Sequence, residues 1–401
     1  MLNYVKNSVK YVIIQKYTVK TRKIHANDSA NVCGIVCFLN FYYHYRINHG
    51  KQLLSLMKIH RVTIKDIARE LKVSISTVSR ALTDHPDISP ATKQVVRDFV
   101  EKMRYKPNAI ALSLRNQRTK IIGVIVPEIV HHFFTSVISG IDEAAVKAGY
   151  NVIFFQSNER YDREIMNIQS ILASRADGVL ISFAKDTRNF SHIRQLIEDK
   201  IPVVLFDRAT DEIETDKVIV DDFEGAFNAV EYLIKTGCRR IAHYAGPQDL
   251  QTHYLRKRGY ISALEKNGLA LHDDLIIPSD SYESALEVTR ILMLKPDPPD
   301  AIFAVNDMTA VGALNAIRAL GFRIPEDVSV VGFTNGLVST VTDPLITTVS
   351  QHGSEIGKKA TEILIRRIHE EGKSFKPITE VIKTELVIRN STRKLQEPAL
   401  H

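Results

Sequence analysis

The sequence predicts an all-α helix-turn-helix head followed by a two-lobed α/β body of parallel, doubly wound sheets, and three observations carry that prediction. A segment starting near Val62 holds three short amphipathic helix patterns, each preceded by a capping residue. From Ile121 onward, short continuous apolar runs alternate with amphipathic helical stretches. Charge divides along the same line. Residues 1–56 hold eight Lys and Arg against one acidic residue, 57–120 hold 14 against 6, and 121–401 hold 31 against 39.

A basic head on an acidic body points to a polyanion at the head. Nucleic acid fits, and an anionic membrane surface would give the same arithmetic. At 401 residues the chain has room for two or three domains, and its 44% apolar and 25% charged residues are ordinary for a globular protein. Cys33, Cys37 and Cys238 are too few and too scattered for a disulfide framework, which fits a reducing cytosol and a cytoplasmic location. Cys33 and Cys37 stand four apart, but no second pair at metal-ligand spacing follows, so no metal or cofactor is expected.

Residues 1–56 mix basic and aromatic side chains without a sustained helical or strand period. The most apolar run, Val32 to Tyr43, falls short of the ~20 residues a membrane span needs. It also lies too far in, and lacks a cleavage site, for a signal peptide. A membrane anchor and a basic arm are the competing readings. The expected one is an upstream extension outside the functional protein, with Met57 as the true start.

The head is expected over 57–106. Thr63 can cap a first helix with Asp66 three residues on, as in a capping box, and Ile64, Ile67, Ala68 and Leu71 form its apolar stripe. Lys72-Val73 makes a tight turn. Ser74 caps a second helix in which Val78, Ala81 and Leu82 face inward. Ser89-Pro90 is a cap followed by proline at the first helical position. Val95, Val96, Phe99, Val100 and Met103 make the expected buried stripe of a third helix. In a helix-turn-helix the second helix enters the major groove and offers its first residues to base edges. Those residues are Ile75, Ser76 and Thr77, with Arg80 about a turn later. Arg80 suits guanine O6 and N7, and Ile75 a thymine methyl. Thr63, Ser74, Thr77 and Ser79 suit phosphate. The competing reading makes the hydroxyls plain caps and Arg80 a solvated surface charge.

The body is expected over 121–392, with 393–401 as a tail. Strands are read at Ile121–Val126, Val152–Phe155, Gly178–Ser182 and Pro202–Phe206, with helices between. Val218–Val220 opens a second set, continued by Ile241–Tyr244, a short strand near Leu275–Ile277, Ala301–Val305 and Val328–Phe333. Thr379 to Ile388 reads as a closing strand pair. These are too many strands for one sheet, so two lobes are expected, with a ligand cleft at the carboxyl ends of the strands. No G-x-G-x-x-G, Walker loop or G-x-S-x-G elbow occurs. The residues after the strands are instead those of a binder: Phe133 and Phe134, Asp207-Arg208, Asn306-Asp307, and Arg256 on a helix. Carboxylates and a guanidinium hold hydroxyl pairs, and aromatic faces cover sugar rings. The same groups suit a purine. Phe133 and Phe134 as plain core, and Asp307 as only a helix cap, are the alternatives.

VTIKDIARELKVSISTVSRAL and Tyr105-Lys106-Pro107-Asn108-Ala109-Ile110-Ala111-Leu112-Ser113-Leu114 closely resemble the head and hinge of the lactose/galactose-repressor family of bacterial transcription regulators. The resemblance extends from about Val62 to about residue 392 and implies a periplasmic-binding-protein-like sensor domain. It implies that 107–120 contains a hinge helix that folds on operator DNA, where Leu114 wedges into the minor groove and Asn108 opens the hinge. Arg256 and Asp307 match the family's effector-contacting arginine and aspartate, and the aromatics near 133 its cleft wall. Asp343-Pro344 to Val349, Ser350-Gln351 and the helix through Ile365 look like the return segment between lobes. Thr334-Asn335 stand where many members carry acidic residues.

The expected function is therefore a sequence-specific regulator, a repressor, bound to double-stranded operator DNA and controlled by a small-molecule effector, a sugar or its derivative. It acts as a homodimer on a palindromic site, and without a heptad tail a tetramer is not expected. The alternative is a sugar-binding receptor with no gene-regulatory role, which predicts an export signal and no helix-turn-helix. An enzyme would need catalytic groups that the sequence does not assemble.

Overall fold

Capping fixes where each helix of the head begins. The computed structural model describes residues 62–105, 118–370 and 376–395, in two compact units divided between Pro107 and Asn108. The 1–56 extension, with Cys33 and Cys37, lies outside the described residues, as do Asn108 and Leu114 of the hinge. Helix α1 (Ile64–Glu70) starts at Thr63, whose side chain accepts from the Asp66 amide while the Asp66 carboxylate accepts from the Thr63 amide. Lys72 takes a left-handed φ of 54° in the turn, and α2 (Ile75–Leu82) starts on the Ser74 cap. Helix α3 (Pro90–Lys102) starts on Ser89 with Pro90 at its first turn. Ile67, Ala68, Val78, Ala81 and Val96 are the buried core that the three share.

The expected α3 stripe was too wide. Val95 is 55% and Met103 40% exposed. Val95 stands about a quarter-turn from the centre of the Val96–Phe99–Val100 face. Met103 is the C-cap of a 13-residue helix, which outruns partners of seven and eight residues.

The body continues as β1 (Ile121–Val126), α4 (His132–Lys147), β2 (Asn151–Gln156), α5 (Tyr161–Ala173), β3 (Gly178–Ile181), α6 (Ser191–Glu198), β4 (Val203–Phe206) and β5 (Asp216–Val220). There follow α7 (Asp222–Lys235), β6 (Ile241–Ala245), α8 (Gln251–Lys266), β7 (Ile276–Pro278), α9 (Tyr282–Met293), β8 (Ala301–Ala304), α10 (Asp307–Ala319) and β9 (Ser329–Thr334). The chain closes with β10 (Thr347–Ser350), α11 (Gly353–His369), β11 (Thr379–Ile382) and β12 (Glu385–Val387). The strands form two six-stranded sheets, ordered β11-β5-β4-β3-β1-β2 and β12-β10-β9-β8-β6-β7. Neighbours run parallel except β10 with β12. Helices cover both faces of each sheet, which is why the inner strands are unbroken apolar runs. Helices α4 and α11 pack backbone to backbone: a Cβ at Gly140 would run into the Ser354 carbonyl, and one at Gly357 into that of Val137.

Two strand assignments are corrected. Val218–Val220 does not open the second lobe, because β5 pairs with β4 in the first sheet. The change of lobe comes one element later, through α7. Thr379–Ile388 is no strand pair: β11 joins β5 in the first sheet, and β12 joins β10 in the second. Only Lys383 and Thr384 separate them, so this stretch is a crossing between lobes rather than a hairpin. With the links from β5 to α7 and from β10 to α11, the chain passes between lobes three times. These passages set the carboxyl ends of the two sheets against each other.

Candidate functional site

On α2 the buried residues are Val78 and Ala81. Ser76 and Arg80, four apart, share the opposite face. Arg80 is 55% exposed and reaches Asp87 at 3.5 Å, a surface pair that is weak and easily exchanged. Ile75 is exposed at the helix start, flanked by half-buried Thr77 and Ser79. The hydroxyls are partly committed locally. Ser74 Oγ accepts from the Thr77 amide and lies 2.7 and 2.8 Å from the hydroxyl oxygens of Ser76 and Thr77, and the Thr63 hydroxyl donates to Asp66. The capping reading thus describes Ser74 and Thr63 as they stand, and the outward face is left to Ser76 and Arg80.

In the body, a cavity of about 420 Å³ lies between the lobes and is lined by all six predicted residues: Phe133, Phe134, Asp207, Arg256, Asn306 and Asp307. The topology explains the convergence. Phe133 and Phe134 follow β1, Asp207 follows β4, and Asn306 and Asp307 follow β8, so each projects from the carboxyl end of its sheet. The two phenylalanines stack edge to face at 5.1 Å and belong to the first lobe's core while also lining the cavity.

The charged groups are held in place by buried hydrogen bonds. Arg256, 5% exposed, donates from Nε and Nη2 to Asp222 Oδ1 at 2.8 and 2.7 Å and from Nη1 to the Val305 carbonyl at 2.7 Å. Its guanidinium carbon lies 3.8 Å from the Phe333 ring centroid. Asp307 is not the cap of its helix. Asn306 is, with Oδ1 accepting from the Thr309 amide, while Nδ2 donates to the Asp280 carbonyl. The Asp307 carboxylate accepts from the Gly336 amide at 2.7 Å and from the Thr348 hydroxyl at 2.5 Å. Burial lifts both Asp207 and Asp307 to about 6, with Arg208 pulling Asp207 back and the Thr348 bond pulling Asp307 back.

Several cavity residues lie outside the six expected ones. Lys185 pairs with Asp280 across the cleft at 2.7 Å, and Arg208 forks onto Glu159 at 2.7 and 3.1 Å. His253 is buried, and desolvation lowers its pKa well below that of a free imidazole. Gln351 is bonded through Oε1 to the Thr334 hydroxyl. Thr334 itself takes a φ of 133° and Asn335 one of 59°. A β-branched residue there is strained, and such strain collects at ligand sites. Arg208 follows Asp207 in a readable pair, and Thr334 and Gln351 stand in stretches that the sequence singles out. Glu159, Lys185, His253 and Asp280 are single residues on loops or helix faces without a local pattern. Among the described residues, no group of His, Cys, Asp and Glu could hold a metal ion.

Residues 119–389 match the family profile described as periplasmic binding proteins and sugar binding domain of the LacI family. Residues 63–108 match bacterial regulatory proteins, lacI family. The chain is 32% identical over 312 residues to catabolite control protein A of Priestia megaterium, covering 77% of this chain and 93% of that protein. It is 32% identical over 334 residues to the HTH-type transcriptional repressor CytR of Escherichia coli, covering 83% and 97%. Among solved structures, the complex of the transcriptional regulator CelR with cellobiose superposes with a TM-score of 0.63 at 29% identity, over 82% of this chain and all of that one.

Proposed function

This chain belongs to the LacI family of bacterial regulatory proteins and is a DNA-binding transcription regulator, and from that premise we propose that a sugar or sugar derivative, bound between the lobes, sets how tightly a homodimer holds a palindromic operator. The observation that carries this reading is the convergence of Phe133, Phe134, Asp207, Arg256, Asn306 and Asp307 on one cavity made by both lobes. Asp207, Asp307 and Asn306 accept from or donate to ligand hydroxyls, Arg256 donates to ring or hydroxyl oxygens, and the phenylalanines cover the apolar face of a sugar ring. The cellobiose of the CelR complex supports a saccharide.

At the head, Arg80 and Ser76 read base edges, and Ile75 meets a thymine methyl. Thr63, Ser74, Thr77 and Ser79 position the head on phosphates. Asn108 and Leu114 form the hinge, whose leucine wedges the minor groove. Two heads related by two-fold symmetry match a palindrome. A protein working on DNA in this way sits in the cytoplasm. No helix among the described residues is long and apolar enough to cross a membrane.

Because each ligand can couple to DNA only through different affinities for two states, the effector needs a coupling of about 1–3 kcal/mol. The test is fluorescence anisotropy of a labelled fragment from the chain's own upstream region, titrated with protein in the presence of single sugars. At least one sugar is expected to change the dissociation constant by about 5–150-fold, and Asp307→Asn to remove that response. A protein whose DNA affinity ignores every sugar, or whose variant responds as before, contradicts the proposal.

A further inference from the structure

The charges lining the cleft differ from what an anionic ligand requires. Among the described residues, each of the three Lys and Arg side chains that line it already holds a carboxylate of this chain. Arg208 forks onto Glu159, Lys185 reaches Asp280 at 2.7 Å, and Arg256 closes on Asp222. The carboxylates of Asp207 and Asp307 remain, both buried, and among the described residues no Lys or Arg forms an ion pair with either. Their partners are neutral: the Ser182 hydroxyl at 3.4 Å for Asp207, and the Gly336 amide and Thr348 hydroxyl for Asp307. His253, also lining the cleft, is kept neutral by burial.

We propose that this cleft takes an uncharged polyhydroxylated ligand and excludes its carboxylated or phosphorylated counterparts. The proposal rests on the sugar reading given above and narrows it. A bound carboxylate or phosphate would have to leave water with no unengaged lysine or arginine to receive it, beside two carboxylates of the same sign. Hydroxyl groups meet no such obstacle, because they can donate to Asp207 and Asp307 and accept from the Arg256 and Asn306 donors. Discrimination therefore comes from an unpaired charge set against the wrong ligand as much as from contacts to the right one.

The chain has no tryptophan, so a single one at the cleft mouth reports on this site alone. Leu337 lines the cavity and is 62% exposed, which makes Leu337→Trp the reporter in the full-length protein. Matched probes are D-glucose, D-glucuronate and D-glucose 6-phosphate, the corresponding galactose set, and D-ribose with D-ribose 5-phosphate, at fixed ionic strength. For any sugar that changes the fluorescence, the anionic counterpart is expected to bind at least about tenfold more weakly. An anionic member that binds as tightly as its neutral parent overturns the proposal.

Inorganic phosphate provides an arm that does not depend on any sugar. The reporter protein is expected to show no saturable response to it, and adding Asp280→Asn, which releases Lys185, is expected to create one. Saturable phosphate binding without that change, or none with it, counts against the proposal. If no neutral sugar responds while the phosphate results come out as stated, it is the sugar reading that fails.

Discussion

The Arg256 guanidinium lies 3.8 Å from the centroid of the Phe333 ring, and the same side chain closes on the buried Asp222. Stacking and fork together fix this cation in the cleft, and they tie its proposed role in binding to the stability of the second lobe. Arg256→Ala would leave Asp222 buried and uncompensated, at about 3–5 kcal/mol. Arg256→Met with Asp222→Asn is expected to recover much of that stability while binding stays lost. Urea denaturation beside calorimetric ligand titration checks both; a single Arg256→Ala as stable as the parent refutes the coupling.

Acidity should separate the two roles of the cleft carboxylates. Asp207 and Asp307 titrate near 6 in the folded chain, against about 3.9 unfolded. With the folded value higher, the stability they contribute is present below about pH 4 and lost as pH rises through 6. Ligand affinity moves the other way, since a hydroxyl donates to the ionised form. Affinity is expected to rise from pH 5 to pH 7 by up to about tenfold per carboxylate. Asp307→Asn should flatten part of that rise in a calorimetric pH series, and an affinity indifferent to pH contradicts the assignment.

His243 provides a pH dependence away from the cleft. It is fully buried in the second lobe, stacked between Tyr260 and Phe303 at 5.2 and 5.0 Å, and its Nδ1 bonds the Phe303 carbonyl at 3.1 Å. Among the described residues its Nε2 has no hydrogen-bond partner, and desolvation pushes its pKa down to about 4. The unfolded chain takes up the proton first, near 6.5. Stability is therefore held above about pH 6.5 and lost as pH falls toward 4, on the order of 2 kcal/mol between pH 7 and pH 5. His243→Phe, compared with the parent by denaturation at both values, should remove about that difference.

At the head, two neighbouring residues should fail in different ways. Ser74→Ala deletes the cap of α2 and is expected to lower the head's stability by about 1 kcal/mol. Arg80→Ala touches only an exposed pair. It should leave melting unchanged while narrowing the gap between matched and mismatched DNA by about 1–3 kcal/mol. If Arg80→Ala weakens all sequences equally, its contact is with phosphate rather than a base.

Much of this architecture is legible in the sequence because its signals are local. Thr63 with Asp66, Ser74, and Ser89-Pro90 mark helix starts within four residues. Inner strands such as Ile121–Val126 show as apolar runs because both sheet faces are covered. Lobe membership is another matter. Val218–Val220 and Thr379–Ile388 look like strands, but which sheet takes a strand depends on its pairing partner and not on its own residues, and that partner can lie over a hundred positions away, as β5 does for β11. Met103 misled because a helical stripe does not say how long the partner helices are. The six cleft residues were found where they follow a strand or match a motif. Lys185, Asp280 and His253 were not, since what unites them is the meeting of two lobes rather than any spacing along the chain.

The most direct measurement is the affinity of the full-length protein for its own upstream DNA against a scrambled fragment of equal length and composition, by anisotropy at one stated salt concentration. The upstream fragment is expected to bind at least about a thousandfold more tightly, and Arg80→Ala to erode that margin. Equal affinity for the two fragments, with or without sugars present, would contradict it.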